Sequence, residues 1–479
     1  MSLKIKNICC IGAGYVGGPS MAVFADKLPN IKINVLDLNK ERIAAWNNKD
    51  LEKLPIYEPG LSKLVERNRN KNLFFSSDLE KNISEADMIF ISVNTPTKTS
   101  GLGAGQASDL RWVESCTRAV AKYAKNHTIV IEKSTIPVKT AELIKNLLDS
   151  YIKKEQKYAK VHKSFSILSN PEFLAEGNAI NDLEFPDRIL IGGEDIKSVD
   201  SLKILYERWV PTEKIICTNL WSSELSKLAA NAFLAQRISS INSISAICES
   251  TGANIDEVSL AIGADTRIGN KFISSSPGFG GSCFKKDILN LIYLCDFNSL
   301  FEVSKYWQNV LTINEWQKKR VSKLIVEKLF GTLYEKKIGV LGFAFKANTN
   351  DTRESPAIDI VADLIVEKAQ VAIYDPKVQK ESINMELNNI LQDFKNSKKD
   401  YHQDGKLGEW ACHEGIDDVF KNADAIVILT EWDEFKTIDW NNASNLMRYP
   451  AWVFDTRSII NEKEVKESGL NLWVLGKSL

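Results

Sequence analysis

Two sets of residues in this chain have the types and spacing for chemistry. The first is the run Pro277-Gly278-Phe279-Gly280-Gly281-Ser282-Cys283-Phe284-Lys285-Lys286-Asp287. A glycine-rich loop there delivers a cysteine to a helix start, because Asp287-Ile288-Leu289-Asn290-Leu291-Ile292-Tyr293-Leu294 has helical apolar spacing. Ser282 is the expected N-cap, which puts Cys283 in the first turn. A thiol in that position faces unpaired amides and the positive end of the helix dipole, so its pKa should fall and thiolate become available for attack. Asp287, at i+4, lies on the same face. The competing reading is a buried structural cysteine ahead of an ordinary helix. The second set is Lys227 and Asn231, one turn apart on the apolar face of a helix expected from Trp221 to Gly252. A lysine buried there is costly unless paired or used, and burial moves its pKa toward neutrality. Arg237, farther along, reads as a paired surface residue. Glu172 and Glu176 share a face if their segment is helical; two solvated acids at a helix start are the alternative.

These residues need elements to hold them. Ile5 to Ile11 reads as a buried strand running into Gly12-Ala13-Gly14-Tyr15-Val16-Gly17, then a helix through Phe24, then a strand from Lys32 to Leu36 that ends on Asp37. This is the dinucleotide fingerprint in its required context. Gly12 makes the tight turn, Gly14 lets backbone approach a pyrophosphate, and Gly17 lets helix pack on strand. Asp37 accepts from ribose hydroxyls, which favours NAD over NADP despite Arg42 nearby. Further strands, Ala86 to Val93, His127 to Glu132 and Phe165 to Ser169, each open into polar residues and a helix breaker (Asn94 to Thr97, Lys133 to Pro137, Asn170 to Glu176), as parallel sheets require. The helix from Trp221 has Ser222 or Ser223 as its cap and Gly252 as its stop. An internal echo follows. Lys337 to Leu341 ends in Gly342, Gln370 to Tyr374 ends on Asp375, and Asn422 to Leu429 matches Glu85 to Ser92 in pattern. The second and third glycines are missing, so this domain should not bind its ligand as a dinucleotide. The polar stretch from Asn384 to Glu414 reads as a surface insertion. The fold class is therefore α/β, with two doubly wound Rossmann-like domains joined by a long central helix, and Cys283 is expected at the cleft between the sheets.

Bulk properties exclude several functions. With 61 basic and 62 acidic residues the net charge is -1, so no basic field awaits nucleic acid or a membrane. The eight cysteines show neither metal-ligand spacing nor a dense disulfide framework, which points to a reducing cytoplasm and no metal. The opening apolar run is too short for a signal peptide, and no run approaches the roughly 20 residues that span a bilayer.

Taken together, Gly12 to Gly18, Ser92 to Lys98, Glu132 to Thr135, Asn170 to Gly177, Trp221 to Ser245, Arg267 to Lys271, Gly278 to Asp287, Gly342 to Lys346 and Asp351 to Glu354 make the chain resemble the UDP-glucose 6-dehydrogenases of the UDP-glucose/GDP-mannose dehydrogenase family over almost its whole length. The resemblance implies NAD-dependent, two-step oxidation of the C6 alcohol of UDP-glucose to UDP-glucuronate, with two NADH released. It implies an NAD-binding domain over 1–219, a central helical domain with the cysteine loop over 220–330, and a UDP-sugar-binding domain over 331–479. By the same resemblance Cys283 is the nucleophile of a thiohemiacetal and a thioester, Lys227 stabilises oxyanions with Asn231 as partner, Asp287 orients water or acts as base, and Thr135 and Glu172 handle water in hydrolysis. NAD contacts fall to Gly12, Ala13, Gly14, Tyr15, Val16, Gly17, Asp37, Arg42, Thr97, Ser134, Thr135, Glu176 and Arg353. Substrate contacts fall to Glu172, Phe173, Leu174, Ala175, Glu176, Lys227, Asn231, Arg267, Phe279, Gly280, Phe345, Lys346 and Arg457. Arg267 is expected to complete a neighbouring subunit's site in a homo-oligomer, a dimer or hexamer. This chain departs from its relatives at Ser274-Ser275-Ser276, which offers only hydroxyls, and at Asp455-Thr456-Arg457-Ser458, which keeps one arginine. A sibling acting on GDP-mannose or UDP-N-acetylmannosamine would share Cys283, Lys227 and Asp287. A single-step hydroxyacid dehydrogenase would use the Lys and Asn but need no loop cysteine.

Overall fold

The computed structural model describes residues 3–157, 163–396 and 406–478. They divide into two compact units, one of residues 1–230 with 289–300, the other of 231–288 with 301–479.

The first unit holds an eight-stranded sheet: β1 (Asn7–Ile11), β2 (Lys32–Leu36), β3 (Leu73–Ser76), β4 (Met88–Ile91), β5 (His127–Glu132), β6 (Ser164–Ser169), β7 (Ile189–Gly193) and β8 (Ile215–Thr218). Its order is β3-β2-β1-β4-β5-β6-β7-β8. The first six strands follow the doubly wound order, and only the β6–β7 pair is antiparallel. Helices cover both faces, so consecutive residues of the central strands are buried, Ile8 to Ile11 in β1 and Met88 to Ile91 in β4. Ile8 and Cys10 pack with Phe24 and Trp46 on one side, while Cys9 and Ile11 pack with Val113 and Val120 on the other. That is why β1 reads as an unbroken apolar run rather than an alternating one.

The helix Leu220–Thr251 begins in the first unit and ends in the second. Its cap is neither serine expected from the sequence. Asn219 takes that role, its Oδ1 accepting from the Ser222 amide at 2.8 Å. Ser223 is buried instead, its hydroxyl 3.0 Å from that of Ser169, and a side chain on Gly192 would collide with it at 2.5 Å. Gly252 stops the helix at φ +82°, as expected.

The second unit contains β9 (Lys337–Leu341), β10 (Gln370–Tyr374), β11 (Glu409–Cys412), β12 (Ala425–Ile428), β13 (Trp452–Asp455) and β14 (Asn471–Val474). All pairs are parallel, in the order β11-β10-β9-β12-β13-β14. The echo of the first sheet extends to single atoms. Asp37 accepts from the Ala13 amide at 3.1 Å, and Asp375 accepts from the Phe343 and Ala344 amides at 2.7 and 3.0 Å. Gly12 and Gly342 both turn at positive φ, +113° and +92°. Where the first domain has Ala13 and Gly14, however, the second has Phe343 and Ala344, both buried. Their side chains pack in the hydrophobic core of this domain, so the turn lacks the bare middle glycine that lets a pyrophosphate approach the backbone. The stretch Asn384 to Glu414 is not simply an insertion. Its start lies in the helix Lys380–Asn396 and its end forms β11, which extends the sheet from β10; residues 397–405 lie outside those described.

Candidate active-site residues

The β1 turn fits a dinucleotide. A Cβ on Gly12 would sit 2.1 Å from the Ser92 carbonyl oxygen, and one on Gly17 would sit 2.0 Å from that of Gly12, so neither position admits a side chain. A Cβ on Gly14 meets nothing within 4 Å. The middle glycine thus leaves open space at the turn, just ahead of the helix Gly17–Lys27, whose N-cap Val16 supplies no side-chain hydrogen bond. Asp37 stands at the end of β2, its Oδ2 also taking the Arg42 guanidinium at 3.0 Å. Two supports were not foreseen. Trp46 donates its indole N–H to the Ala13 carbonyl at 3.0 Å, and Gly18 is needed because a Cβ there would strike that indole at 2.2 Å. Their partners lie some 30 residues away, beyond the reach of a local motif.

The carboxyl ends of β4 and β5 are tied together. Thr95 donates its hydroxyl to the Thr135 carbonyl at 2.7 Å, and Ser134 donates its own to the Val93 carbonyl at 2.7 Å. Thr97 bridges to Ser108. The segment 171–176 is irregular rather than helical, so Glu172 and Glu176 are not one turn apart on a helix; Pro171 ends β6 and leaves a loop. Glu172 is buried there with Lys227, whose ammonium lies 3.2 Å from its Oε1, while the Leu174 amide donates to Oε2 at 2.7 Å. Burial pushes the Glu172 carboxyl up, but Lys227, the Leu174 amide and Lys133 outweigh it and hold it below the ordinary carboxylate range. Phe173 carries cations near its ring, the Arg188 guanidinium at 3.8 Å and the Lys227 ammonium at 5.3 Å from the centroid. The Ala175 amide donates to Asp182 at 2.8 Å, and Glu176 is half-buried. Lys133, which sequence reasoning passed over, is buried in the same cluster.

The cysteine loop belongs to the second unit. Asn314 clamps it by accepting from the Phe279 amide at 2.8 Å and donating to the Phe279 carbonyl at 3.2 Å. Gly280 is required where the loop meets the 345–354 segment, since a Cβ would lie 2.5 Å from the Glu354 carbonyl oxygen; the Gly281 amide donates to the Arg353 carbonyl at 2.8 Å. At the front edge Ser276 is held through its backbone: Asn242 accepts from its amide at 2.9 Å and Gln317 donates to its carbonyl at 2.9 Å. The helix itself runs Phe284–Phe297. Cys283 therefore holds the N-cap position that the sequence suggested for Ser282, its carbonyl accepting from the Asp287 amide at 2.9 Å. The Ser282 hydroxyl lies 3.4 Å from the thiol sulfur. Asp287 is wholly buried, and Asn231 donates to its Oδ2 at 2.6 Å. Asn231 thereby fixes the orientation of Asp287 one turn past Cys283. Lys227 and Asn231 are themselves one turn apart on their helix.

The remaining residues are more dispersed. Arg353 pairs with Asp351 through two nitrogens, and the Lys346 ammonium lies 5.7 Å from the Phe345 ring centroid. Arg457 donates to the carbonyls of Leu429 and Phe345 at 2.8 and 3.1 Å and pairs with Glu431 at 3.1 Å. Arg267 is exposed and pairs with Asp265, two residues away, at 2.6 Å. Arg237 differs from the paired surface residue expected: its guanidinium holds the carbonyls of Ile268, Gly269 and Lys271 at 2.8–2.9 Å, fixing the segment that carries Arg267. Among the described residues no group of three or more His, Cys, Asp or Glu is placed to hold a metal ion, and no helix is long and apolar enough to cross a membrane.

Comparison with known proteins converges on one family. Residues 6–210 match the NAD binding domain of the UDP-glucose/GDP-mannose dehydrogenase family, 221–316 its central domain and 339–462 its UDP binding domain. The chain is 52% identical to UDP-glucose 6-dehydrogenase 3 of Oryza sativa subsp. japonica over 484 aligned residues, covering 99% of this chain and 97% of that one. It is 51% identical to UDP-glucose 6-dehydrogenase 4 of Arabidopsis thaliana, with the same coverage. A solved UDP-glucose dehydrogenase from Pyrobaculum islandicum superposes with a TM-score of 0.81 at 28% identity, over 99% of this chain and 98% of that chain. The chain belongs to the UDP-glucose/GDP-mannose dehydrogenase family and is an NAD-dependent dehydrogenase.

Proposed function

We propose that the protein oxidises the C6 alcohol of UDP-glucose to the carboxylate of UDP-glucuronate in two steps, through a thiohemiacetal and then a thioester on Cys283. Bound NAD supplies the hydride acceptor for each oxidation, so two NADH leave per sugar. The chain's own residues do the rest. Gly12, Ala13, Gly14, Tyr15, Val16, Gly17, Asp37 and Arg42 hold the cofactor, with Thr97, Ser134, Thr135, Glu176 and Arg353 completing its site. Glu172 to Glu176, Phe279, Gly280, Phe345, Lys346 and Arg457 hold the UDP-sugar. Lys227 stabilises negative charge on the C6 oxygen, and the Asn231-oriented Asp287 takes or positions the proton. The hydrogen on an aldehyde carbon does not leave as hydride until a nucleophile adds and gives C6 a tetrahedral oxygen whose electron pair can expel it. The Cys283 sulfur adds to C6, the carbonyl oxygen takes a proton, and the second oxidation leaves a thioester. Water then forms the new C–O bond, the C–S bond breaks with its electron pair on sulfur, and Glu172 with Thr135 handles the water's proton.

The observation that carries this reading is the cysteine at a helix cap with a buried, hydrogen-bonded carboxylate one turn on, an arrangement a one-step alcohol oxidation does not need. The names of the half-identical plant relatives favour UDP-glucose among nucleotide sugars. The test is spectrophotometric NADH stoichiometry across a panel of UDP- and GDP-sugars. Two NADH per UDP-glucose, with other sugars poorer, is expected; one per sugar refutes the covalent route, and preference for GDP-mannose or UDP-N-acetylmannosamine refutes the substrate. We further read 1–219, 220–330 and 331–479 as the NAD-binding, central and UDP-sugar-binding domains, the protein as a cytoplasmic homo-oligomer, dimer or hexamer, and Arg267 as completing a neighbouring subunit's site.

A further inference from the structure

Lys133 is buried as deeply as Lys227, each 3% exposed. Lys227 has a carboxylate partner in Glu172, whereas the hydrogen bonds of Lys133 go to Asn170, to its carbonyl oxygen at 3.2 Å and its Oδ1 at 3.1 Å. Asn170 is itself fixed, accepting from the Tyr206 hydroxyl at 2.7 Å and donating to the Leu190 carbonyl at 2.8 Å. A buried cation held by a neutral amide loses several kcal/mol of hydration, and an apolar side chain would fill the space without that loss. The ionisable groups facing it from neighbouring elements are Glu172 on the loop after β6, Lys227 on the long helix, Cys10 on β1 and Tyr206. Burial pulls the Lys133 ammonium down to about 8, with Lys227 pushing the same way and Glu172 opposing.

We propose that Lys133 is a positioning residue for thioester hydrolysis, one of two buried lysines that together keep Glu172 ionised so that it can accept the proton of the attacking water. The proposal rests on the covalent route given under Proposed function. One lysine faces Glu172 directly through 3.2 Å, and the other adds its field from a site anchored by Asn170. In the hydrolysis step a proton of water passes to Glu172 as the C–O bond forms and sulfur departs with the C–S electron pair. A Glu172 that has already taken a proton from solvent cannot do this, so losing the Lys133 charge moves the acid side of the rate profile upward.

The test uses the full-length enzyme with Lys133→Gln, which keeps donors for Asn170 and removes the charge, Lys133→Met, which removes both, and Lys133→Arg, which keeps the charge. Turnover is followed from about pH 5 to 9 alongside intact-mass detection of the Cys283 acyl adduct. Both neutral variants should shift the acid limb of kcat up by about one unit and accumulate acyl adduct, while Lys133→Arg keeps the limb near wild type. A wild-type acid limb in Lys133→Gln overturns the proposal and leaves Lys133 as a packing residue. One NADH per sugar from the wild-type enzyme would instead overturn the reading on which it rests.

Discussion

Replacing each of two glycines by alanine should separate cofactor binding from folding. In Gly14→Ala the added methyl meets no protein atom within 4 Å, and the residue is not in the left-handed region. The folded state therefore accepts it, and the reduced freedom of the unfolded chain should stabilise the protein by about 0.4–1 kcal/mol. The methyl projects into the space above the turn where a pyrophosphate must approach the backbone. Overpacking of that kind costs about 1–3 kcal/mol; at about 2 kcal/mol the Kd for NAD rises roughly 30-fold. Gly17→Ala reverses the pattern. Its Cβ would lie 2.0 Å from the Gly12 carbonyl oxygen, a backbone atom that cannot swing aside, so the helix must move off β1 and the apoprotein itself loses stability. Thermal melts of both apoproteins, with NAD titrated by calorimetry, decide the matter. Gly14→Ala should melt at or above wild type and bind NAD weakly, whereas Gly17→Ala should melt lower before any NAD is added. A Gly14→Ala protein that binds NAD within about twofold of wild type refutes the reasoning, because the open space would then not be the cofactor's.

Cys283→Ser should bind NAD and UDP-glucose but form UDP-glucuronate at least about 100-fold more slowly, with no acyl adduct by intact mass; normal product release would end the thioester route. Arg267→Ala should lower activity with the oligomer intact by light scattering, and a fully active monomer would contradict its reach into a neighbour. Burial, then neighbouring Glu224, pushes the Glu132 carboxyl well above its ordinary value, so the folded state keeps a proton the unfolded chain releases. The stability from that group is present below the unfolded pKa and is lost as pH rises toward the folded one. Glu132→Gln is neutral throughout and should raise the melting temperature more at pH 8 than at pH 5, by roughly 1–3 kcal/mol in ΔΔG; equal shifts at both pH values would show that Glu132 is not held neutral.

What the sequence determined was whatever depends on near neighbours. The unbroken apolar runs of β1, β4, β5 and β12 and the left-handed turns at Gly12 and Gly342 record conditions set within a few residues, and all were legible. So were the glycine fingerprint, the internal echo and the one-turn spacings of Lys227 with Asn231 and Cys283 with Asp287. The short strands β7, β8, β13 and β14 were not, because four or five residues carry too little periodicity and their identity lies in their partners. The helix starts were misplaced by a residue or more because several side chains can cap, and packing chooses: Ser223 was drawn into the core against Ser169, leaving Asn219 to cap. Only the tertiary structure decided that the loop after β6 buries Glu172 against Lys227, that Asn231 grips Asp287, and that Lys133 is anchored by an Asn170 held in turn by Tyr206. These contacts join residues 36 to 56 positions apart. Each is strengthened by the low-dielectric interior, a condition that exists only once the sheet and its helices have closed over them.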